Sequence, residues 1–244
     1  MVESITDTIG GWGTVYNRQQ STGFALIDEW DRGFGWFAHS EEEGMRASHA
    51  FMFDDGVWIV DPLDSPGIDE HITRLGEVVG VTVCSSMHAR DADIFAKRYD
   101  IPVYIPEGMG RVSDRLNAEI IRYQDFPARG VMVVHRNPFP GFDEGNLYHE
   151  PTRTLYIGDS LGTTPWHTIE QETIGAQAIL RLFPPKGLLG VTPERIFFGH
   201  GMGIDTDAGS VLKDTVTAGR KRAPRAFVSN LPPAIRAAIA SLKD

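Results

Sequence analysis

The chain contains almost no cysteine and no long apolar run. Cys84 is the one cysteine among 244 residues, so no disulfide can form within the chain, as is usual for proteins of reducing compartments. No apolar stretch approaches the roughly 20 residues that cross a bilayer. Residues 1–4 lack the positive charge of a secretory signal, and no apolar stretch follows them. We therefore expect a cytoplasmic protein without a membrane partner.

Positive charge is scarce as well. The formal net charge is −10, and only 23 residues are lysine or arginine against 33 aspartates and glutamates. A nucleic-acid-binding protein needs cations to neutralise phosphates, so this balance argues against a nucleic-acid partner. The one basic segment, residues 219–225, is interpreted as the solvated end of a helix, where the helix dipole favours cations.

Length and composition indicate one globular domain. A chain of 244 residues with 41% hydrophobic residues can bury a large core, and neither an internal repeat nor a low-complexity linker divides it. We therefore treat residues 1–244 as a single domain. Aromatic residues lie among glycines in its N-terminal part, where they are expected to form core or, alternatively, the surface of a homodimer: Trp12, Trp30, Trp36 and Phe37.

Hydrophobic periodicity predicts alternating strands and helices. Short apolar runs predict strands at 57–60, 81–84, 101–105, 130–134 and 195–198, and residues 146–149 and 154–157 form the arms of a predicted hairpin. Helical spacing predicts helices over 68–78 and 89–99, and a helical C-terminal part that prolines break at Pro224 and again at Pro232 and Pro233. Hairpins combined with βα units favour sheets that are covered by helices.

Residues that bind metals or carry protons follow three of these strands. His88, Arg90 and Asp91 come after the strand at 81–84, Asp159 comes after the second hairpin arm, and His200 follows the strand at 195–198. Ligands of α/β folds usually bind at the carboxyl ends of strands, where loops converge. Each residue also has a structural explanation, because Asp91 could cap the following helix and Asp159 could form an Asx turn.

The same segments resemble the metallo-β-lactamase superfamily. His-Ala-Arg-Asp at 88–91, Tyr-Ile-Gly-Asp at 156–159 and Phe-Gly-His-Gly at 198–201 occur in the order and at the intervals of that superfamily's signposts, and Asp61 resembles its aspartate at the end of an early strand. The resemblance runs from about residue 57 to the C-terminal helical part. It implies an α/β fold, the four-layer αββα sandwich, with metal held at the edge of two facing sheets.

The metal-binding motif of that superfamily is degenerate in this chain. On the His-x-His-x-Asp-His pattern, only the second histidine is kept, as His88. Ser86 takes the place of the first histidine, Arg90 that of the aspartate and Asp91 that of the last histidine, while Phe142 follows Pro-Gly where a histidine is expected. Asp159 and His200 match the remaining ligands. The resemblance therefore implies a metal set of His88, Asp91, Asp159 and His200.

Three functions remain open. A single-metal hydrolase of an ester, thioester or phosphodiester would use one zinc, manganese or iron ion, with His88, Arg90 and Asp91 as candidate catalytic residues and a small, anionic molecule as substrate. A metal-free binding or structural module would instead use the permanent charge of Arg90 to pair with Asp159 or to hold an anionic ligand. A serine esterase would use Ser160, since residues 158–162 match Gly-x-Ser-x-Gly.

Overall fold

Eleven strands form two sheets in the computed structural model, which describes residues 14–241 and the side chains of residues 14–229. One sheet has seven strands, which are in spatial order β1 (Ala25–Trp30), β2 (Gly33–Phe37), β3 (Ala47–Phe53), β4 (Gly56–Val60), β5 (Val78–Thr82), β6 (Val103–Pro106) and β7 (Ile120–Tyr123). The other has four, in the spatial order β11 (Arg195–Phe198), β10 (Thr154–Ile157), β9 (Phe142–His149) and β8 (Val131–Phe139). Trp12 lies outside the described residues.

Helices connect the strands and cover the sheets. The described helices are α1 (Ile68–Leu75), α2 (Ala92–Tyr99), α3 (Gly110–Ser113) and α4 (Ala208–Ser241), with two short 3₁₀ turns at Leu180–Leu182 and Lys186–Gly190. Strands β1 to β4 pair antiparallel. Strands β4 to β7 pair parallel. Helix α1 carries the chain back between β4 and β5, and α2 does so between β5 and β6. No helix in the described part of the chain is long and apolar enough to cross a bilayer.

Alternating side chains divide the interior into three apolar layers. From β4, Ile59 packs outward against Ile72 of α1, while Trp58 packs inward between the sheets. From β11, Phe197 faces inward, and Ile196 packs outward with helix α4. This alternation is the period of two that a pleated strand imposes. The resulting helix–sheet–sheet–helix order is the αββα sandwich that the resemblance implies.

The predicted elements are found with small shifts in their ends, with one exception. The hairpin arms pair antiparallel, with Thr154 opposite His149. Helix α4, however, continues through Pro224 and also through Pro232 and Pro233, so the breaks predicted at these prolines are wrong. Proline removes one backbone hydrogen bond, but neighbouring Ala226 is fully buried against Ile169 and Ala178, and this packing holds the helix on the domain. Trp36 and Phe37 are buried, as core residues should be.

Candidate metal centre

Parallel strands bring the ends of three segments to one edge of the sandwich. Strands β10 and β11 run parallel, and their last residues, Ile157 and Phe198, lie opposite each other. Asp159 follows Ile157 by two residues and His200 follows Phe198 by two, so both reach the same edge. In the facing sheet, β4 and β5 also run parallel, so Asp61 and the loop with His88 end at the same edge. All four residues are at most 5% exposed. The expectation that strand ends would converge is met for His88, Asp159 and His200.

Three ligand atoms form a nearly equilateral triangle. Asp159 Oδ1 lies 3.2 Å from His88 Nε2 and 3.2 Å from His200 Nε2, and the two Nε2 atoms are 3.2 Å apart. Ligands about 2.0–2.1 Å from a tetrahedral ion lie about 3.3–3.4 Å from one another. The triangle therefore has the size of one face of a tetrahedral metal site. Within the described residues, these three form the one group of His, Cys, Asp or Glu side chains that converge in this way.

Hydrogen bonds on the far side of each imidazole orient both rings. His200 Nδ1 donates to the carbonyl oxygen of Gly44 at 2.7 Å, and this oxygen can only accept. His88 Nδ1 lies 2.8 Å from Asp61 Oδ2, which also accepts the hydroxyl of Tyr156 at 2.7 Å. With a proton on each Nδ1, both Nε2 atoms present lone pairs to the centre. A carboxylate behind a histidine is the usual arrangement behind metal-binding imidazoles.

Asp159 is held equally firmly. Its Oδ2 accepts a short hydrogen bond from the Ser85 hydroxyl, which leaves Oδ1 facing the imidazoles. The backbone N–H groups of Asp159 and Ser160 both donate to Glu144 Oε1, at 2.6 and 2.8 Å. Glu144 is 1% exposed and belongs to β9, so a neighbouring strand fixes the turn that carries Asp159. The sequence reasoning did not identify Glu144, because no motif distinguishes it from other strand glutamates.

The electrostatics of the cluster favour an ionised Asp159. Burial alone would raise its pKa, but the charge of His88 and the neighbouring imidazole of His200 hold the pKa well below the ordinary value. For His88, burial and Arg90 oppose protonation, yet Asp159 and Asp61 raise its pKa. Burial lowers the pKa of His200. The centre thus carries a carboxylate that requires one cation, either a proton shared with His88 or a metal ion.

Arg90 contributes a permanent charge beside the triangle. Its Nη1 donates to the carbonyl oxygens of Ala47 and Asp61 at 2.6 and 2.7 Å, and its Nη2 donates to that of Gly199 at 2.9 Å. The same Nη2 lies 3.2 Å from His88 Nε2. Arg90 therefore joins the ends of three strands and contacts the centre. It forms no ion pair with Asp159 in the described structure, which differs from the pairing expected for a metal-free module.

Asp91 lies outside the group, which corrects the expected ligand set. Its Oδ2 accepts the backbone N–H of Asp64 at 2.8 Å, and burial raises its pKa. Arg90 adopts a left-handed backbone, with φ at +42°, and this turn directs the next side chain away from the centre. Asp91 occupies the N-cap position of α2, but its side chain makes no capping hydrogen bond there. The alternative that Asp91 caps this helix through its side chain is therefore wrong as well.

The positions of a second metal site offer no ligands. Ser86 exchanges hydrogen bonds with the backbone of the β8–β9 turn, its hydroxyl donating to Gly141 O at 3.0 Å. Phe142 is buried in the apolar layer under α4. With Arg90 replacing an aspartate, the degenerate positions hold a hydroxyl, an aromatic ring and a cation. A dinuclear centre is therefore not supported by these side chains.

Ser160 lacks the surroundings of a nucleophile. Its hydroxyl is buried without a hydrogen-bond partner among the described side chains, and His200, its expected base, directs Nε2 at Asp159. The chain also continues after β10 as bends and turns, where a nucleophile elbow needs a helix. His167 is close, with its ring centroid 5.9 Å from that of His200, but its Nδ1 is bonded to Thr164 Oγ1 and burial lowers its pKa to about 3.

A segment near the N-terminus covers the centre. The carbonyl oxygens of Thr14 and Val15 accept the backbone N–H groups of Glu43 and Gly44, at 3.0 and 3.1 Å. This places the ring of Tyr16 over the cluster, with its centroid 6.3 Å from that of His200 and 5.7 Å from that of Trp166. Burial raises the pKa of Tyr16, so it remains a neutral phenol. Sequence reasoning missed this cover, because these contacts join distant parts of the chain.

Solved metallo-β-lactamases share this fold. DIM-1 matches with a TM-score of 0.61 and 13% identity over 83% of this chain and 99% of that one. The enzyme from Pontibacter korlensis matches with a TM-score of 0.57 and 14% identity over 81% of this chain and 99% of its own. FIM-1 from Pseudomonas aeruginosa, in its mono-zinc form, matches with a TM-score of 0.55 and 12% identity over 84% of this chain and 98% of its own. No family model matches the sequence, and no curated protein matches it. The chain has the metallo-β-lactamase fold.

Proposed function

We propose that this chain is a hydrolase that depends on one divalent metal ion held by His88, Asp159 and His200. The observation that carries the proposal is the triangle of ligand atoms with 3.2 Å sides, in which both imidazoles present lone pairs. The substrate class is a small, anionic ester, thioester or phosphodiester. A mono-zinc form among the structural neighbours supports a single ion as a workable occupancy for the fold.

The donor set suits several ions. Two imidazole nitrogens and one carboxylate oxygen bind zinc, manganese or iron, and three protein ligands leave a position for substrate. Such an ion would supply Lewis acidity toward a carbonyl or phosphoryl group and lower the pKa of water. Asp61 would keep the proton of His88 on Nδ1, so that Nε2 stays available. Asp91 has no part in this proposal, because its carboxylate is bonded elsewhere.

Arg90 would provide the second positive charge. Its guanidinium is fixed by three carbonyl oxygens and lies beside His88, where the resemblance places a metal-binding carboxylate. A fixed cation at that point would stabilise negative charge that develops on the substrate during hydrolysis. The electrostatic contribution of a second metal would thus come from an arginine, which cannot be removed by chelation.

The test is hydrolysis by the metal-loaded protein compared with the chelator-treated protein. Chromogenic carboxylic ester, thioester and phosphodiester substrates should be cleaved only by the loaded form, and Asp159→Asn should abolish turnover because it removes the charged ligand. Asp91→Asn is the matched control, since it makes the same change three residues after His88 and keeps an oxygen to accept the Asp64 N–H. Turnover that survives complete chelation, or that Asp91→Asn abolishes equally, would contradict the proposal.

A metal-free module is the second candidate, and the 3.2 Å approach of Arg90 Nη2 to His88 Nε2 favours it. In that case Arg90 and a proton on His88 balance Asp159, and the cluster serves stability. Such a protein would stay empty after incubation with zinc, manganese or iron salts, and chelator would leave its thermal midpoint unchanged. Uptake of one ion would exclude this candidate.

A further inference from the structure

A cavity of about 400 Å³ lies outside the candidate metal centre, between the β8–β9 hairpin and residues 183–188. Arg136, Lys186 and Arg220 line it, and no aspartate or glutamate does. This lining is unusual for a chain with a formal net charge of −10. Arg98, by contrast, has a carboxylate partner in Asp64 at 2.7 Å. The cations of this cavity form no ion pair with any carboxylate that the structure describes.

Arg136 is held in place with part of its guanidinium unused. Its Nη2 donates a short hydrogen bond to Phe183 O, and its guanidinium lies 5.4 Å from the centroid of the Phe142 ring. Nη1, in contrast, is buried and has no hydrogen-bond partner among residues 14–229. Burial lowers the pKa of Arg136, opposed only by the charge of Glu144. An oriented guanidinium with an unpaired N–H group is a ready donor for an oxyanion.

Asn146 adds an unpaired acceptor to the same wall. Val134 pairs with Asn146 and Arg136 with Glu144 across β8 and β9, so the period of two places these side chains on one face of the sheet. Asn146 is fully buried, and its Nδ2 donates to Val134 O and Glu144 Oε2, both at 3.2 Å. Since both partners are acceptors, the amide orientation is defined, and Oδ1 has no partner in the part of the chain that the structure describes.

The opposite wall of the cavity carries the two other positive charges. Arg220 of α4 donates its Nε–H to Leu182 O at 2.9 Å, which fixes the guanidinium at the rim. Lys186 begins the 3₁₀ turn Lys186–Gly190, and Phe183 and two prolines provide apolar surface beside it. Buried polar atoms in native proteins are normally satisfied. Here one donor, Arg136 Nη1, and one acceptor, Asn146 Oδ1, are unsatisfied beside three cations without carboxylate partners among the described residues. This combination indicates a ligand that carries both an anionic group and a hydrogen-bond donor.

We propose that this cavity binds the phosphate or carboxylate group of a small molecule, with Arg136 as its main donor and Lys186 and Arg220 as supporting charges. A hydroxyl or N–H group of the same molecule donates to Asn146 Oδ1. A volume of about 400 Å³ falls within the range of about 300–1,000 Å³ usual for small-molecule sites. The site is separate from the metal centre, and it stands even if that centre binds no ion.

The test uses inorganic phosphate and, separately, acetate, titrated by calorimetry into chelator-treated protein at low salt. Chelation excludes binding of the anion to a metal. We expect saturable binding of at least one of the two anions, weakened at least about tenfold by Arg136→Gln through loss of a charge-assisted hydrogen bond. Lys186→Gln is the second variant, and it should also weaken binding. The Lys186 side chain makes no hydrogen bond or ion pair with the described residues, so the substitution disrupts no internal contact of that kind.

Arg122→Gln is the matched control. It removes the same charge from an exposed arginine of β7 that lies outside the cavity and donates to Ser113 Oγ at 2.9 Å. Its binding curve should equal that of the wild-type protein. The proposal would be overturned if neither anion binds. It would also be overturned if Arg122→Gln weakens binding as much as the two cavity variants do, because Arg136 would then have no specific role. Binding of phosphate but not acetate would assign the site to phosphorylated molecules.

Discussion

Asp61→Asn tests whether the carboxylate behind His88 prepares the ring for a metal. Asp61 is fully buried, its Oδ1 accepts the Cys84 N–H at 2.8 Å, and its Oδ2 accepts from His88 and Tyr156. An asparagine can keep the first bond through its oxygen, but its NH₂ group then faces two donors. His88 must move its proton to Nε2 to accept from that NH₂, and it loses the lone pair that a metal needs.

The expected effect has two parts. Loss of such a partner typically weakens metal affinity by about 10–100-fold. A buried hydrogen-bonding group left unpaired also costs about 1–3 kcal/mol of unfolding free energy. Zinc affinity should be measured by competition with a chromophoric chelator, and stability by urea unfolding of the chelated protein. The two measurements separate a metal effect from a general loss of stability.

Asp28→Asn is the matched control for this prediction. Asp28 Oδ2 faces His49 Nε2 at 3.1 Å, while its Oδ1 accepts the backbone N–H of Gly203 at 2.8 Å, so the arrangement repeats that of Asp61. Neither Asp28 nor His49 belongs to the candidate metal centre. We expect a similar loss of stability and unchanged zinc affinity. Equal affinities of Asp61→Asn and wild type, or equal losses in both variants, would refute the reasoning.

Three further predictions concern the cover, the cysteine and the core. Tyr16→Ala should speed removal of the bound metal by chelator, because the ring lies over His200; an unchanged rate in a stopped-flow chelation assay would show that Tyr16 does not limit access. Cys84 is fully buried and burial raises its pKa, so a thiol reagent should label it only in denaturant; rapid labelling of the native protein would contradict its placement. Leu155→Ala should lower the unfolding free energy by about 2–5 kcal/mol in urea, because it leaves a cavity under α4; a loss below about 1 kcal/mol would place the side chain outside the core.

The sequence was most informative where local pattern and sheet geometry agree. Apolar strands that end in polar residues predicted that His88, Asp159 and His200 would meet, since parallel neighbours share an edge. The hairpin at 146–157 followed from its two short apolar arms, and the covering helices followed from the combination of hairpins with βα units. Asp61 was recognised only as a strand end. Its role behind His88 depends on a contact across 27 residues, which no local pattern reports.

What the sequence could not predict depends on backbone turns and long-range contacts. The left-handed conformation of Arg90 turns Asp91 away from the centre, and a non-glycine residue gives little indication of a positive φ. Arg90 bonds to Gly199, 109 residues away, and Tyr16 reaches the centre through pairing of residues 14–15 with 43–44. Pro224 illustrates the reverse case, in which tertiary packing overrides a strong local preference against helix.

The metal content of protein purified without a metal-chelating tag tests the central claim most directly. Elemental analysis should find about one equivalent of zinc, manganese or iron, because the described residues contain one triangle of ligands and the second set of positions has none. Asp159→Asn and His200→Ala should lose the ion while remaining folded, and Asp91→Asn should retain it. A wild-type protein that stays empty after incubation with each ion, or that binds two equivalents, would contradict a single-metal centre.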